Sequence, residues 1–133
     1  MPHLFVEYSG NLDAVLDVDA LVTTVHEAAL ATGLFPVGGT RTRAVRRERY
    51  RIADGDPDNG FVHVVARIGH GRTEAQRKSA GEQMFAAVST HLDPLFATRP
   101  LALSLEIQEL DPVLNFKRNN LHERLAAKRG SAA

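Results

Sequence analysis

A chain of 133 residues, 44% of them apolar, suits one domain around one core. Its 16 Lys plus Arg balance 16 Asp plus Glu, which argues against a general nucleic-acid binder, whose affinity draws on surplus cations. Cysteine is absent, so disulfides and thiolate metal sites are excluded; with no signal-peptide pattern and no apolar run near the roughly 18 residues of a membrane span, a cytoplasmic protein without membrane partners is expected.

Pro2 to Tyr8 reads as a strand, with Leu4 and Val6 on one face and His3, Phe5 and Glu7 on the other. Ser9 to Asp13 is a polar connection. Asp17 is placed to cap a helix whose apolar stripe is Val18, Leu21, Val22, Val25 and Ala29, and Gly33 follows as its left-handed terminator. Pro36 to Ile52 is expected to be extended, and the run DGDPDNG at 54–60 is a loop built of turn formers.

Phe61 to Ile68 alternates as a second strand. Thr73 and Gln76 bracket a capping box that opens a second helix, with Ala80, Met84, Val88, Leu92 and Leu95 inward and Pro94 expected to end or kink it. Leu101 to Leu110 alternates as a further strand. A short helix over Asn119–Ala127 is expected to follow, and 128–133 should be a disordered tail.

The order strand–helix–strand, twice over, predicts a duplicated βαβ unit, about 1–60 and 61–127 of a single domain 1–127. The fold class is α+β: a four-stranded mixed sheet with two helices on one face. His3, Phe5, Phe61 and Val65 would line the other face, which predicts burial against further copies.

Three features could carry chemistry. Pro2 becomes a secondary amine once Met1 is removed, as happens before small residues. A free α-amino group has a pKa of about 7.7–8.0. Burial and nearby arginines lower it, making a competent general base near pH 7. With Met1 retained, Pro2 is an amide and cannot act so. The second feature is the arginine run Arg41, Arg43, Arg46, Arg47, Arg49 and Arg51. Arg46 to Arg51 read more simply as a solvated edge that resists aggregation, whereas Arg41 follows Gly38 and Gly39, which permit close approach. The third is Arg72, between a strand and a helix N-terminus, where anions and α/β ligands tend to sit. The six histidines form no metal-ligand spacing, and no nucleotide motif or nucleophile elbow occurs. No metal or cofactor is therefore expected.

Several segments occur together in order: MPH before a strand ending at Glu7, ATGLFP at 31–36, GGTRTR at 38–43, ADG at 53–55, FVHV at 61–64, IGHGRT at 68–73, LALSLEIQEL at 101–110 and LNFKRNNLH at 114–122. In these the chain resembles the 5-carboxymethyl-2-hydroxymuconate isomerase family of the tautomerase superfamily, from Met1 to about His122. The resemblance implies a homotrimer with sheets facing inward. It implies a cofactor-independent keto–enol tautomerisation in homoprotocatechuate breakdown, on a small carboxylated enol. It places the amino-terminal proline on Pro2, the substrate-binding arginines on Arg41 and Arg72, and pocket lining on His3 and Phe61. LNFKRNNLH is implied to lie at a subunit interface, with Asn115 and Lys117 near the site. The basic run RRERYR at 46–51 and the longer tail depart from the family pattern and leave substrate choice open.

Other readings stay open. One is a different tautomerase activity, of the phenylpyruvate type. A second is a non-catalytic trimeric small-molecule binder on the same fold. A third is a nucleic-acid-binding ribbon over Arg41–Arg51, against which zero net charge and few nearby aromatics count.

Overall fold

Strict alternation in β1 (His3–Ser9) puts Leu4 and Val6 wholly out of solvent and leaves His3, Phe5 and Glu7 partly exposed. The computed structural model describes residues 1–132. After β1 come α1 (Val18–Ala31), β2 (Arg41–Arg47), β3 (Gly60–Ile68), α2 (Glu74–Phe96), β4 (Leu101–Glu109) and α3 (Leu121–Ala132). The sheet order is β2-β1-β3-β4. The β1–β2 and β3–β4 pairs are parallel, and β1 meets β3 antiparallel, with His3 opposite Arg67 and Val6 opposite Val64. Each parallel pair is one helical crossover, so two βαβ units share one sheet. Among the described residues no helix is long and apolar enough to cross a membrane.

Leu4, Val6, Val62, Val64, Ala66 and Ile68 form the sheet side of the core, and Leu21, Val25, Ala29, Met84, Val88 and Leu92 form the helix side. Burying each large aliphatic side chain contributes about 1.5–3 kcal/mol over leaving it exposed. The Asp17 carboxylate accepts from Ala20 N at 3.0 Å, and Gly33 ends the run beyond α1 with φ +75°. Thr73 and Gln76 make both bonds of the capping box at the start of α2. The opposite sheet face carries His3, Phe5, Phe61, His63 and Val65, all only partly covered.

The structure departs from the sequence reading at several places. Leu12, in the supposedly polar connection, sits in a 3-10 turn (Gly10–Leu12) and is fully buried. The stretch from Pro36 to Ile52 is not uniformly extended. A 3-10 turn spans Val37–Gly39, and β2 stops at Arg47. Beyond it the Asp and Asn side chains of the 54–59 loop capture backbone groups: Asp56 N donates to Asp54 at 3.1 Å and Asn59 Nδ2 to Ile52 O at 3.0 Å.

Pro94 does not end α2, which continues to Phe96. The carbonyl that loses its partner belongs to exposed Thr90, where water can replace the missing N–H, and Leu92 and Leu95 hold the last turn on the core. The expected tail is helical through Ala132: Asn119 Oδ1 accepts from Leu121 N at 2.6 Å, and the helix continues through Lys128 and Arg129, good helix formers. Ala133 lies outside the described residues.

β2 is an edge strand, and its last two arginines are answered by acids. Arg46 Nε donates to Asp13 at 2.6 Å and Arg47 Nε to Glu7 at 2.5 Å. This is the pairing of a solvated, charge-protected edge.

Candidate active site

The carbonyl of Pro2 accepts a hydrogen bond from Arg41 N at 3.1 Å, extending the β1–β2 ladder to the start of the chain. Pro2 is fully buried and Met1 in front of it is partly buried. Glycines make room for this terminus. A Cβ on Gly39 would stand 2.7 Å from Met1 Sδ, and one on Gly69 would lie 4.0 Å from the Met1 nitrogen and 3.8 Å from Arg72 Nη1. The amine and the Arg72 guanidinium therefore flank the same point above Gly69.

Arg72 leaves the turn before α2 and is held on three sides. Nη1 donates to Gly69 O at 3.2 Å, Nη2 donates to Leu34 O at 2.8 Å, and the guanidinium lies 5.1 Å from the Phe35 ring centroid. These contacts leave further N–H donors of the fork free to meet an anion. Arg41 opens β2 on the open face of the sheet, beside His3 in the register. Its Nε and Nη2 are buried without a hydrogen-bond partner. Unmet buried donors of this kind cost about 1–3 kcal/mol, more when charged, and a carboxylate relieves that cost.

Arg43 Nη1 donates to His3 Nδ1 at 3.2 Å. A guanidinium has no acceptor, so Nδ1 must accept and the neutral ring carries its proton on Nε2. Burial first, then Arg41, Arg43, Arg67 and the chain terminus, hold the His3 pKa below its ordinary 6.5. His3 is thus neutral at pH 7.

Residues 110–120 return as a strap across this corner. Leu110, Asn115, Phe116, Lys117 and Arg118 face Met1, His3 and Arg41 around a cavity of about 270 Å³. A more open cavity of about 800 Å³ adjoins it, lined by Arg41, Arg118, Asn119, Asn120, Leu121 and Glu123. Asn119 latches the strap, donating through Nδ2 to Gly38 O at 2.8 Å.

The electrostatic result falls on the terminal amine. Its pKa lies below the ordinary 8.0, by burial first and then by the charges of Lys117, Arg72 and Arg41. An amine so placed is neutral over a wider pH range than a free one.

Of the residues singled out in the sequence, Pro2, His3, Arg41 and Arg72 come together at this corner, as do Asn115 and Lys117. Phe61 does not. It is the second residue of β3, opposite Ala102, while the corner lies beside Arg67, six residues along the strand, about 20 Å at ~3.3 Å per residue. Its ring meets Tyr50 edge-on instead, with centroids 6.4 Å apart. Arg118 and Asn119 were not singled out; the density of polar residues in LNFKRNNLH was the available signal.

A family model described as 5-carboxymethyl-2-hydroxymuconate isomerase matches residues 2–125. The chain belongs to this family. A 5-carboxymethyl-2-hydroxymuconate Delta-isomerase from Escherichia coli is 43% identical over 122 residues, covering 92% of this chain and 97% of its own. The crystal structure of a 5-carboxymethyl-2-hydroxymuconate isomerase from Deinococcus radiodurans R1 superposes with a TM-score of 0.86 at 40% identity, covering 93% of each chain. A fused 4-OT symmetric trimer, 14% identical, shares the fold with a TM-score of 0.63 over 87% of this chain and 93% of its own. The family assignment agrees with the resemblance read from the sequence, and the mixed four-stranded sheet with its paired crossovers is the architecture expected there.

Proposed function

We propose that the chain, once Met1 is removed, isomerises 5-carboxymethyl-2-hydroxymuconate with the Pro2 amine as the proton carrier. The observation that carries this reading is the convergence of Arg41, Arg72 and Lys117 on the terminal amine at the mouth of a cavity. Family membership supplies the substrate.

The chemistry is internally balanced. Pro2 nitrogen takes the proton of the 2-hydroxyl, the C–O bond becomes a carbonyl, and the double bonds shift along the conjugated chain. The protonated amine then delivers the same proton to a carbon, forming a C–H bond and restoring the neutral base. Proton transfer by a positioned base typically accounts for about 10²–10⁴-fold in rate. Arg41 and Arg72 bind carboxylates and oppose the negative charge that spreads over the dienolate. The burial and cations that lower the Met1 amine's pKa act in the same direction on an amine at Pro2, favouring its neutral form. Its ring and its place at the head of a strand hold the lone pair in one direction.

The active assembly in this reading is a homotrimer. The support is the open sheet face, where His3, Phe5, Val45, Phe61 and Val65 are only half covered, and a neighbour of the same fold that is a trimer. Packing of that face against other copies also offers Phe61 a role at a site other than its own chain's.

Intact-mass measurement paired with an ultraviolet assay on 5-carboxymethyl-2-hydroxymuconate tests the mechanism. Protein lacking Met1 is expected to turn over. Protein made with methionine aminopeptidase inhibited, and so retaining Met1, is expected to be inactive. Pro2→Ala should lose about a hundredfold in kcat. Equal turnover with and without Met1 overturns the reading. Native mass spectrometry is expected to find three chains per particle.

A further inference from the structure

The two cavities at the corner share two residues, Arg41 and Arg118. The seam between the smaller pocket, which Met1 lines, and the larger open one is therefore shared by two arginines. Among the described residues neither forms an ion pair, and Arg41 keeps two buried nitrogens without partners. Glu123 is the carboxylate on the larger cavity's lining, yet it stands beyond ion-pair distance of both. Two cations drawn to one seam without an internal anion repel one another, and the arrangement is relieved when a ligand brings negative charge. Arg72 is not on the lining of either cavity; it stands by the Met1 amine above Gly69 and over Phe35.

The corner thus offers an anion two sets of donors. Arg72 serves the end close to the amine above Gly69, and the Arg41–Arg118 seam serves the end that opens toward the larger cavity.

We propose that Arg118 is a specificity-determining residue: with Arg41 it grips a carboxylate remote from the reacting enol, so that polycarboxylate enols are preferred over monocarboxylate ones. This deepens the functional reading above and rests on it for the identity of the substrate. The anion grip itself needs no catalysis and is measured separately. Arg118 is exposed and lies on the strap rather than in the core, so its replacement leaves the fold's packing intact.

The test uses the trimmed full chain, with Arg118→Ala and Arg118→Lys beside the parent. Turnover is followed on 5-carboxymethyl-2-hydroxymuconate, with three carboxylates, and on the enol of phenylpyruvate, with one. Binding of propane-1,2,3-tricarboxylate and of butyrate is measured by calorimetry. Arg118→Ala is expected to raise KM for the tricarboxylate about tenfold or more, as suits loss of a charge-assisted hydrogen bond. That rise should exceed any rise for the phenylpyruvate enol at least fivefold or so, with kcat changed far less. Arg118→Lys should recover part of the loss, since it restores the charge without the fork. The preference for propane-1,2,3-tricarboxylate over butyrate should shrink in parallel. Equal losses on both substrates, or an unchanged preference in the binding measurement, overturn the proposal. A shrunken binding preference alongside a fully active Pro2→Ala would sink the proline mechanism and leave the anion grip standing; an inactive Pro2→Ala with an unchanged preference does the reverse.

Discussion

The Arg72 guanidinium lies 5.1 Å over the ring of buried Phe35, and it is steadied there by carbonyls on either side. The ring is both core and platform. Phe35→Leu keeps most of the apolar volume and removes the π face, a contact worth about 0.5–2 kcal/mol. KM for the carboxylated enol should rise about two- to thirtyfold by that amount, with a small fall in Tm. Phe35→Ala should cost about 3–5 kcal/mol of stability as well. Steady-state kinetics and thermal melts separate the two effects, and an unaltered KM in Phe35→Leu would remove the platform role.

Asn119 ties the strap to the turn before β2, bonding Gly38 O at 2.8 Å and Leu121 N at 2.6 Å. Asn119→Ala loses both bonds and should lower stability by about 1–2 kcal/mol. Amide hydrogen exchange should rise over 113–121 ahead of the sheet. Gly38→Ala attacks the same latch from the other side, because the added Cβ would lie 2.7 Å from the His122 ring and 3.0 Å from its backbone nitrogen. Overpacking of this kind costs about 1–3 kcal/mol. Protection in the strap that stays at parent level in both variants would show that the latch does not hold it.

After burial, Lys117 is the charge that most lowers the terminal amine's pKa, ahead of Arg72 and Arg41. A cation disfavours the protonated amine, so removing it raises the amine pKa. In Lys117→Gln the acid limb of the kcat/KM profile should therefore move to higher pH, with the plateau height at alkaline pH kept better than the value at pH 7. The same direction is expected for the Met1 amine in untrimmed protein, read by pH-dependent acylation. A limb that stays put or moves to lower pH would exclude Lys117 as the tuning charge.

His3 has its pKa depressed by burial and then by three arginines and the terminus. The unfolded chain takes up this proton more readily than the folded one. Stability from this group is thus fully present above the ordinary 6.5 and is lost as pH falls from there through the folded value. Tm is expected to decline below that point, and His3→Gln should flatten the decline. An unchanged slope in His3→Gln would assign the acid sensitivity to other groups.

The elements legible in the sequence are those whose causes are local. Alternation in β1 and β3, the Asp17 cap, the Thr73–Gln76 box and the Gly33 terminator each need only neighbours a few residues away. The same applies to the acidic turn at 54–59, where the Asp54 and Asp56 side chains accept from backbone N–H groups two residues on. Local signals misled where exposure decided the outcome. Pro94 reads as a helix breaker, yet the carbonyl it orphans belongs to exposed Thr90. Leu12 reads as part of a polar link, yet the 3-10 turn aims it into the core.

From the sequence alone one learns the duplicated βαβ pattern, the open and covered faces of the sheet, and the family. Tertiary structure decided which charges meet. Arg41 stands beside His3 through parallel register, Arg72 reaches the corner from the turn before α2, and Lys117 and Arg118 arrive on a strap more than a hundred residues away in the chain. Phe61 is carried to the opposite end by the antiparallel β1–β3 pairing. Strand and helix periods act over a few residues and are written in composition and spacing. The grouping of cations around one amine depends on strand register and on where a loop returns, which no local period encodes.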